Sequence, residues 1–242
     1  MTRRLRLLLA LLLIATLGVA RPATATTWTP LAYRPAAADN PLKGFMPYAG
    51  SYQTFPHSME WFYLPVRDVM TGPHTFNWSA LERQLNEISR RGHQSVFRFY
   101  LDYPGRPTGV PQYLLDQGLV THPYSDFGND VSVSPDYSDP RLVAALTSFI
   151  TAFGRRYDGD PRIGFVTLGL IGFWGEWHTW PHDGTTQPEN WMPGDDVLGK
   201  ILQTYDGAFR RTRLLARYPS RLNKQLGMGY HDDSFAFETL PT

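Results

Sequence analysis

One stretch of the chain combines a carboxylate with several tryptophans. Residues 172–180 read Gly-Phe-Trp-Gly-Glu-Trp-His-Thr-Trp, with Glu176 at the centre. A carboxyl group can pass a proton to a bound molecule, and apolar surroundings favour the protonated form that a general acid needs. Tryptophan rings are broad, rigid and apolar with one polar N–H, which suits the faces of sugar rings. The pattern predicts that Glu176 transfers protons and that Trp177 and Trp180 form walls of a carbohydrate site.

Two plainer interpretations of this stretch remain open. Glu176 would then be a solvated or salt-bridged loop residue, with Arg98 as one possible partner. The tryptophans would be core residues, which is the usual position of aromatic side chains. Glu176 and His178 are two residues apart, so an extended backbone would place both side chains on one face.

Other polar and aromatic residues follow other predicted strands. Arg98 and Tyr100 alternate with two phenylalanines, so both are expected to point into a barrel. Residues 102–103 and 231–232 follow the ends of two predicted strands, where a parallel barrel carries its functional groups. We predict Glu176 as the catalytic residue and expect no cofactor. The predicted carbohydrate-binding residues are Trp177, Trp180, His178, Arg98, Tyr100, Asp102, Tyr103, His231 and Asp232.

A metal-dependent hydrolase is an alternative, because acidic and histidine side chains share two of these loops. Their spacings, Glu-x-His and His-x3-His, are common by chance, and no predicted helix presents them. A zinc site needs three ligands held on a rigid frame. We therefore expect no metal at the site. The side chains concerned are Glu176, His178, His182, Asp183, His231 and Asp232.

The composition of the 242 residues excludes several classes of protein. There is no cysteine, which excludes disulfides, thiolate metal sites and a cysteine nucleophile. A net charge of +1 is no reason to expect a nucleic-acid partner. With 42% hydrophobic and 19% charged residues, the chain is neither disordered nor a multi-span membrane protein. Dinucleotide, P-loop, serine-hydrolase and zinc-protease motifs are absent from the sequence.

The first 25 residues are predicted to be a secretory signal peptide. Three arginines precede an apolar stretch at 7–20, and Ala23-Thr24-Ala25 resembles a signal-peptidase site. An uncleaved membrane anchor is the weaker alternative, because about 20 apolar residues are needed to span a bilayer. Cleavage would remove four arginines and no acidic residue, turning the net charge of +1 into −3 over 217 residues. We expect a secreted protein, not stably inserted in a membrane, with a linker at 26–39.

Strands and helices are expected to alternate along the rest of the chain. Helices are predicted from Ser79 to Arg91, from Pro140 to Arg156 and from Asp196 to Ala216, each with apolar residues at helical spacing. Asp139 followed by proline is a typical helix start. The five predicted strands are Gly44–Tyr48, Trp61–Pro65, Ser95–Leu101, Ile163–Trp174 and Gln225–Tyr230.

This alternation indicates parallel βαβ units and an α/β fold. A doubly wound sheet and a (β/α)8 TIM-type barrel both begin in this way, and we favour an incomplete barrel of about five βα units. The loop from Asp102 to about Ser138 is rich in proline, glycine and tyrosine, with one helical turn predicted at Tyr113–Gln117. Loops of this length are uncommon in compact domains unless they are functional.

Five stretches carry a family resemblance. They are 40–45 (Asn-Pro-Leu-Lys-Gly-Phe), 98–105 (Arg-Phe-Tyr-Leu-Asp-Tyr-Pro-Gly), 107–111 (Pro-Thr-Gly-Val-Pro), 157–163 (Tyr-Asp-Gly-Asp-Pro-Arg-Ile) and 169–178 (Gly-Leu-Ile-Gly-Phe-Trp-Gly-Glu-Trp-His). Together they resemble a secreted bacterial family of uncharacterised, glycoside-hydrolase-like barrels, over roughly residues 40–233. The last stretch is the most specific. The family is defined by sequence, and its activity is not established.

At a greater distance the plan is similar to the clan of retaining glycosidases on (β/α)8 barrels. That resemblance implies a general acid/base at the end of strand four, where Glu176 falls, and a nucleophilic glutamate at the end of strand seven. The clan usually has asparagine before the acid/base, whereas this chain has Gly175. Because the sequence ends at Thr242, residues 40–242 are expected to be the N-terminal part of a truncated barrel, which lacks the second catalytic carboxylate.

The sequence thus predicts a secreted carbohydrate-active protein, with a glycoside hydrolase favoured. An alternative from another class is a non-catalytic, carbohydrate-binding barrel at the cell surface. The same fold and the same tryptophans serve either function. A second carboxylate at the end of strand seven, in a longer version of the gene, would favour the enzyme, because hydrolysis of a glycosidic bond needs a pair of carboxyl groups.

Overall fold

A computed structural model of the chain describes residues 30, 32–35, 40–52, 54–183 and 190–232. The predicted signal peptide at 1–25 and most of the predicted linker at 26–39 lie outside the described residues. The chain divides into two units, Met1–Ala36 and Ala37–Thr242. The described residues of the first unit are exposed and outside helices and strands. All elements below belong to the second unit.

The second unit is a mixed α/β structure, and its strands and helices alternate as predicted. In chain order they are β1 (Met59–Pro65), β2 (Met70–Gly72), β3 (Thr75–Phe76), α1 (Ser79–Arg90), β4 (Gln94–Tyr100), α2 (Gln112–Asp116), β5 (Thr121–Pro123), β6 (Val133–Pro135), α3 (Pro140–Tyr157), β7 (Ile163–Thr167), α4 (Asp195–Ala208), β8 (Arg213–Ala216), α5 (Arg221–Gln225) and β9 (Gly229–Tyr230).

The central sheet is parallel and has the order β1-β4-β7-β8-β9. Neighbours in the sheet follow one another along the chain, as in a (β/α)8 barrel. Within the described residues β1 and β9 do not pair, so the sheet is open and is consistent with part of a barrel. Two small antiparallel pairs, β2 with β3 and β5 with β6, lie outside it.

The helices cover the sheet through apolar stripes. Leu81, Leu85 and Ile88 form the buried stripe of α1, as their spacing predicts. In α3 the Asp139 carboxylate accepts a hydrogen bond from Arg141 N at 2.8 Å, and Pro140 occupies the first helical position. The aromatic rings of Phe149 and Phe153 from α3 pack edge-on against β4. The main core therefore lies between α1, α3 and the sheet.

The first predicted strand, Gly44–Tyr48, is wrong as a full strand. Only Tyr48 pairs, through a parallel bridge to Trp61 made of two backbone hydrogen bonds. Gly44 has φ of 91°, which is outside the extended region, and Pro47 has no N–H to donate. Along the chain, the Tyr48 bridge, β1 and β4 precede β7 in the sheet. β7 is therefore the fourth strand if the bridge is counted as a strand, and the third if it is not.

Three other predicted boundaries are wrong. The strand predicted at Ile163–Trp174 ends at Thr167 as β7, and the positive φ of 76° at Leu170 is incompatible with its continuation. The third predicted helix ends at Ala208 and not at Ala216, because the Asp158 carboxylate accepts hydrogen bonds from the backbone N–H groups of residues 210–212 and holds them out of the helix. Residues 213–216 are instead the strand β8. The predicted strand Gln225–Tyr230 is reduced to β9, because its first residue ends the short helix α5.

The long segment 102–138 is ordered around short elements. The predicted helical turn at Tyr113–Gln117 is confirmed as α2. The antiparallel pair of β5 and β6 forms the rest of its frame. Among the helices described here, none is long and apolar enough to cross a membrane.

Candidate functional site

Glu176 is carried by a loop that follows β7, the central strand of the sheet. The loop turns back on itself, with backbone hydrogen bonds from Trp177 N to Ile171 O and from Phe173 N to His178 O, at 2.9 and 2.8 Å. The glycines at 172 and 175 adopt positive φ. Glu176 is thereby held at the C-terminal edge of the sheet, where parallel α/β folds place functional side chains.

Three non-glycine residues of this loop also have positive φ. The angles are 76° at Leu170, 53° at Trp174 and 62° at Trp177. Each costs about 1 kcal/mol or more for a residue with a side chain. Surrounding contacts offset this strain, among them the hydrogen bond from Leu170 N to Phe99 O at 2.8 Å. Strain of this kind concentrates at functional sites.

The buried residue Arg98 connects Glu176 to the sheet. It lies on β4, is fully buried and donates from Nη2 to Glu176 Oε1. Its guanidinium also donates to the Tyr63 hydroxyl at 2.9 Å and to His231 Nε2 at 3.3 Å. The group lies over the ring of Trp61 at 5.2 Å. Arg98 is itself held by residues of β1 and of the segment after β9, and it in turn fixes one oxygen of Glu176.

The second oxygen of Glu176 faces His178. His178 Nε2 lies 3.7 Å from Glu176 Oε2, a distance that suits a weak ion pair when the imidazole is protonated. The Glu176 side chain is 14% exposed, so it is accessible from one side only. The ion pair with Arg98 that the sequence left open is present, and it leaves Oε2 as the oxygen able to meet a ligand.

A cleft of about 380 Å³ opens beside Glu176. This volume lies within the range of small-molecule sites. Its aromatic walls are formed by Phe127, Trp174, Trp180 and Tyr218, and its polar groups are Glu176, His178, Asp183 and Arg217. The cleft therefore combines flat apolar faces with a few charged groups, as small-molecule sites generally do.

The predicted wall residues Trp177 and Trp180 have different positions. Trp180 lines the cleft and is 62% exposed. Trp177 does not line it, because its indole Nε1 donates to Leu168 O at 2.9 Å and its ring packs on the core. Trp177 lines a second, mostly apolar cavity of about 450 Å³ between α4, β8 and α5. Trp174, which was not among the predicted site residues, occupies the cleft wall instead.

The predicted residues at the end of β4 form a separate group. Tyr100 is buried, and its ring lies 5.1 Å from that of Tyr103. The Tyr103 ring is 6.4 Å from Trp174, so it adjoins the cleft wall. Asp102 is fully buried and accepts hydrogen bonds from the Tyr124 and Ser132 hydroxyls at 2.5 and 2.6 Å. Asp102 thereby joins the long segment to the sheet.

The two remaining predicted residues lie beyond β9. His231 contacts Arg98 as described, and Asp232 Oδ1 lies 3.4 Å from Arg217 Nη1. Arg217 follows β8 directly and is 4% exposed. The structure therefore brings Glu176, His178, Arg98 and His231 together, with Asp232 linked to the cleft through Arg217.

Several cleft residues were missed by the sequence analysis. Arg217 and Tyr218 follow a strand that was assigned to a helix, so their position at a strand end was hidden. Phe127 belongs to the long segment and contacts Trp174 with ring centroids 4.8 Å apart. No local sequence signal identifies Phe127, because only the folded segment brings it across the sheet edge.

The metal alternative can be compared with the positions of its ligands. Within the part of the chain that the structure describes, one group of three side chains could share a metal ion, namely His57, Glu60 and His93. In the same described residues, the six side chains named for the metal alternative do not form a group of three that could share an ion. The metal-dependent hydrolase therefore lacks its expected ligand set among the described residues.

Burial raises the pKa of Asp102 to about 6, although hydrogen bonds from Ser132 and Tyr124 act in the opposite direction. The folded state then holds a proton on Asp102 between pH 4 and 6 that the unfolded state releases. Stability contributed by this group is thus present at low pH and is lost as the pH rises through about 6. The shift corresponds to about 3 kcal/mol.

We expect the Asp102→Asn variant to gain about 3 kcal/mol relative to wild type when the pH rises from 4 to 7. Asparagine keeps an oxygen that can accept both hydroxyl hydrogen bonds, and it cannot ionise. Urea unfolding of both proteins at pH 4, 5, 6 and 7 measures the difference. The control is Asp130→Asn, an exposed position in the same segment. A difference independent of pH would contradict this assignment.

Comparison with known proteins gives similarity at the level of solved structures. No protein-family model and no curated protein matches the chain. Endo-glycoceramidase II from Rhodococcus sp. in its lactosyl-enzyme intermediate is 14% identical, with 66% of this chain and 41% of that chain covered and a TM-score of 0.45. The same protein in a ganglioside GM3 complex is 16% identical, with 66% and 40% covered and a TM-score of 0.45.

A GH10 endoxylanase retrieved from a sugarcane soil metagenome is 16% identical, with 64% of this chain and 39% of that chain covered and a TM-score of 0.33. All three structures are of glycoside hydrolases. The chain spans about two fifths of the length of the structures it matches.

Proposed function

We propose that this chain is part of a secreted, carbohydrate-active barrel protein that hydrolyses glycosidic bonds, with Glu176 as general acid/base. One observation carries the proposal: Glu176 lies at the C-terminal edge of a parallel sheet, in a cleft with four aromatic walls. Secretion is proposed from residues 1–25 alone. The family resemblance in the sequence and the barrel-like order of the sheet support the same class.

The contacts of Glu176 suggest how the two carboxyl oxygens divide their roles. Oε1 accepts from Arg98 and orients the group. Oε2 carries the exchangeable proton and passes it to the glycosidic oxygen of a sugar held between Trp174 and Trp180. His178 Nε2 lies 3.7 Å from Oε2. In this proposal it donates a hydrogen bond to the same sugar or passes a proton back to Glu176 after the sugar is released.

A glycosidase needs a second carboxyl group on the other side of the bond that is cleaved. The separation is about 5 to 5.5 Å in retaining enzymes and about 6.5 to 9.5 Å in inverting enzymes. Asp183 is the other carboxylate of the described residues that lines the cleft, and its Oδ2 accepts from Thr179 N at 3.2 Å. Among the described residues that line the cleft, Asp183 is the candidate for this second carboxyl group.

The Glu176→Gln substitution tests the proposal. Glutamine preserves size and can still accept from Arg98, but it cannot donate an acidic proton. We expect sugar release from a glycan panel to fall by about 10²- to 10⁴-fold in kcat. The matched control is Glu87→Gln, an exposed position on α1, which should leave the rate unchanged. Equal rates for wild type and Glu176→Gln would exclude the acid/base role.

The ion pair between Glu176 and the buried Arg98 favours a second candidate, a non-catalytic carbohydrate-binding protein. A carboxylate held by arginine can accept hydrogen bonds from sugar hydroxyls without transferring a proton. Calorimetric titration of the same glycans distinguishes the two functions. A binder would retain glycan affinity in wild type without product formation, and Trp174→Ala would abolish the affinity.

A further inference from the structure

A second cluster of ligand-type side chains lies at the opposite edge of the sheet. Glu60 is the second residue of β1, and His93 immediately precedes β4. His57 lies two residues before β1. Because β1 and β4 are parallel neighbours with Met59 opposite Gln94, all three residues meet at the N-terminal edge. This edge is remote from Glu176, and the cluster does not depend on the proposed function.

The surroundings of His57 leave one of its ring nitrogens, Nε2, able to bind a cation. Its Nδ1 donates to Phe55 O at 2.8 Å, which places the ring proton on Nδ1 and leaves the lone pair on Nε2. The residue is 5% exposed, and among the described residues Nε2 has no hydrogen-bond partner. Metal-binding histidines donate their other ring nitrogen to a backbone carbonyl in this way. A buried lone pair without a partner is costly unless a cation or a donor meets it.

The other two side chains complete a compact set. Glu60 is fully buried, and its Oε1 lies 2.7 Å from His93 Nδ1. The rings of His57 and His93 have centroids 4.3 Å apart. One ligand atom from each residue lies within 4.8 Å of the others. Zinc ligands in a tetrahedron are about 3.4 Å apart, so side-chain shifts of about 1 Å bring all three to bonding distance.

The charge of the cluster also permits a divalent cation. Arg91 donates to both Glu60 oxygens at 2.7 Å, and Gly50 N donates to Oε2. A carboxylate has about four acceptor positions, and these three contacts together with the one from His93 Nδ1 fill them. An ion at Oε1 would therefore take the place of the proton that His93 Nδ1 shares with Glu60. Arg91 is 31% exposed and its charge is partly solvated, which weakens its repulsion of a second cation.

We propose that His57, Glu60 and His93 bind a divalent metal ion of the zinc class. Two imidazole nitrogens and one carboxylate are ligands that zinc prefers, with water as the fourth ligand. The ion would fasten the segment before β1 to the start of β4. The role is structural, because the ligands lie away from the cleft and two of the three are almost fully buried.

Metal titration of the protein after dialysis against a chelator tests this site. We expect one zinc ion per chain by calorimetry. Binding should raise the melting temperature by about 5 to 10 °C at a free zinc concentration a hundredfold above Kd. The visible absorption of Co²⁺ in place of Zn²⁺ reports tetrahedral coordination. Wild type without zinc binding and without a thermal shift would overturn the proposal.

Single histidine variants locate the ion. His57→Gln should weaken zinc binding at least about 100-fold. His74→Gln, at an exposed histidine beside Ser148, should retain the wild-type affinity. Unchanged affinity in His57→Gln, or loss of zinc in His178→Gln instead, would overturn the assignment. If His57→Gln does not fold, ring ¹⁵N shifts of wild type on zinc addition decide: the signals of His57 and His93 should move and those of the other histidines should not.

Discussion

We expect the Gly169→Ala variant not to fold, or to lose more than about 4 kcal/mol of unfolding free energy. A Cβ at this position would lie 2.0 Å from the carbonyl oxygen of Phe99 and 3.1 Å from Arg98 Cβ. The first of these atoms belongs to the backbone of β4, which cannot move aside without breaking the sheet. The strand that carries Arg98 and the loop that carries Glu176 meet at this glycine.

The same substitution on α4 is the control. Gly199 lies in the interior of that helix, and a Cβ there would meet only Leu222 Cδ2 at an ordinary 3.7 Å. Gly199→Ala should therefore stabilise the protein by up to about 1 kcal/mol through helix propensity. Soluble yield, circular dichroism and urea unfolding measure both variants. A Gly169→Ala protein as stable as wild type would show that the loop does not pack against β4 as described.

The second large effect is expected from Glu60→Gln, which should lose about 3 kcal/mol above pH 5. Burial raises the pKa of Glu60, but hydrogen bonds from Arg91, His93 and Gly50 outweigh it and lower the pKa from 4.5 to about 2. A depressed pKa contributes stability above the unfolded value, and this stability is lost as the pH falls through about 2. The shift corresponds to about 3 kcal/mol.

The pH profile separates this electrostatic contribution from a packing defect. The stability difference between wild type and Glu60→Gln should be constant above pH 5 and should shrink towards zero near pH 2. Urea unfolding in the presence of a chelator keeps metal binding out of the measurement. Glu87→Gln is again the control and should change stability by no more than about 0.5 kcal/mol. A difference that persists unchanged at pH 2 would contradict the role of the Glu60 charge.

Elements with strong local patterns could be predicted from the sequence. The apolar stripe of α1 and the Asp139–Pro140 start of α3 need no distant contact, and both helices are confirmed. The strand β8 could not be predicted in this way. Its separation from α4 depends on Asp158, which lies some 50 residues earlier and captures three backbone N–H groups.

The candidate site could be predicted in part for the same reason. Glu176 and His178 are two residues apart in sequence, and the ion pair between Glu176 and Arg98 is the contact that the plainer interpretation of Glu176 named. The sequence could not show that Trp174 lines the cleft and that Trp177 packs on the core. Both Trp174 and Trp177 have positive φ, and backbone angles of that kind leave no signal in non-glycine residues.

The opposite directions of Trp174 and Trp177 have a consequence for how this protein can diversify. The residues that a ligand would touch, Trp174 and Trp180, are distinct from the residue that anchors the loop to the core, Trp177. Trp180 is 62% exposed, so its exchange leaves the anchor in place, whereas Trp174 also packs against Phe127 and Phe173. Under the proposed function, ligand preference could therefore change at position 180 while the contact that holds the loop is retained.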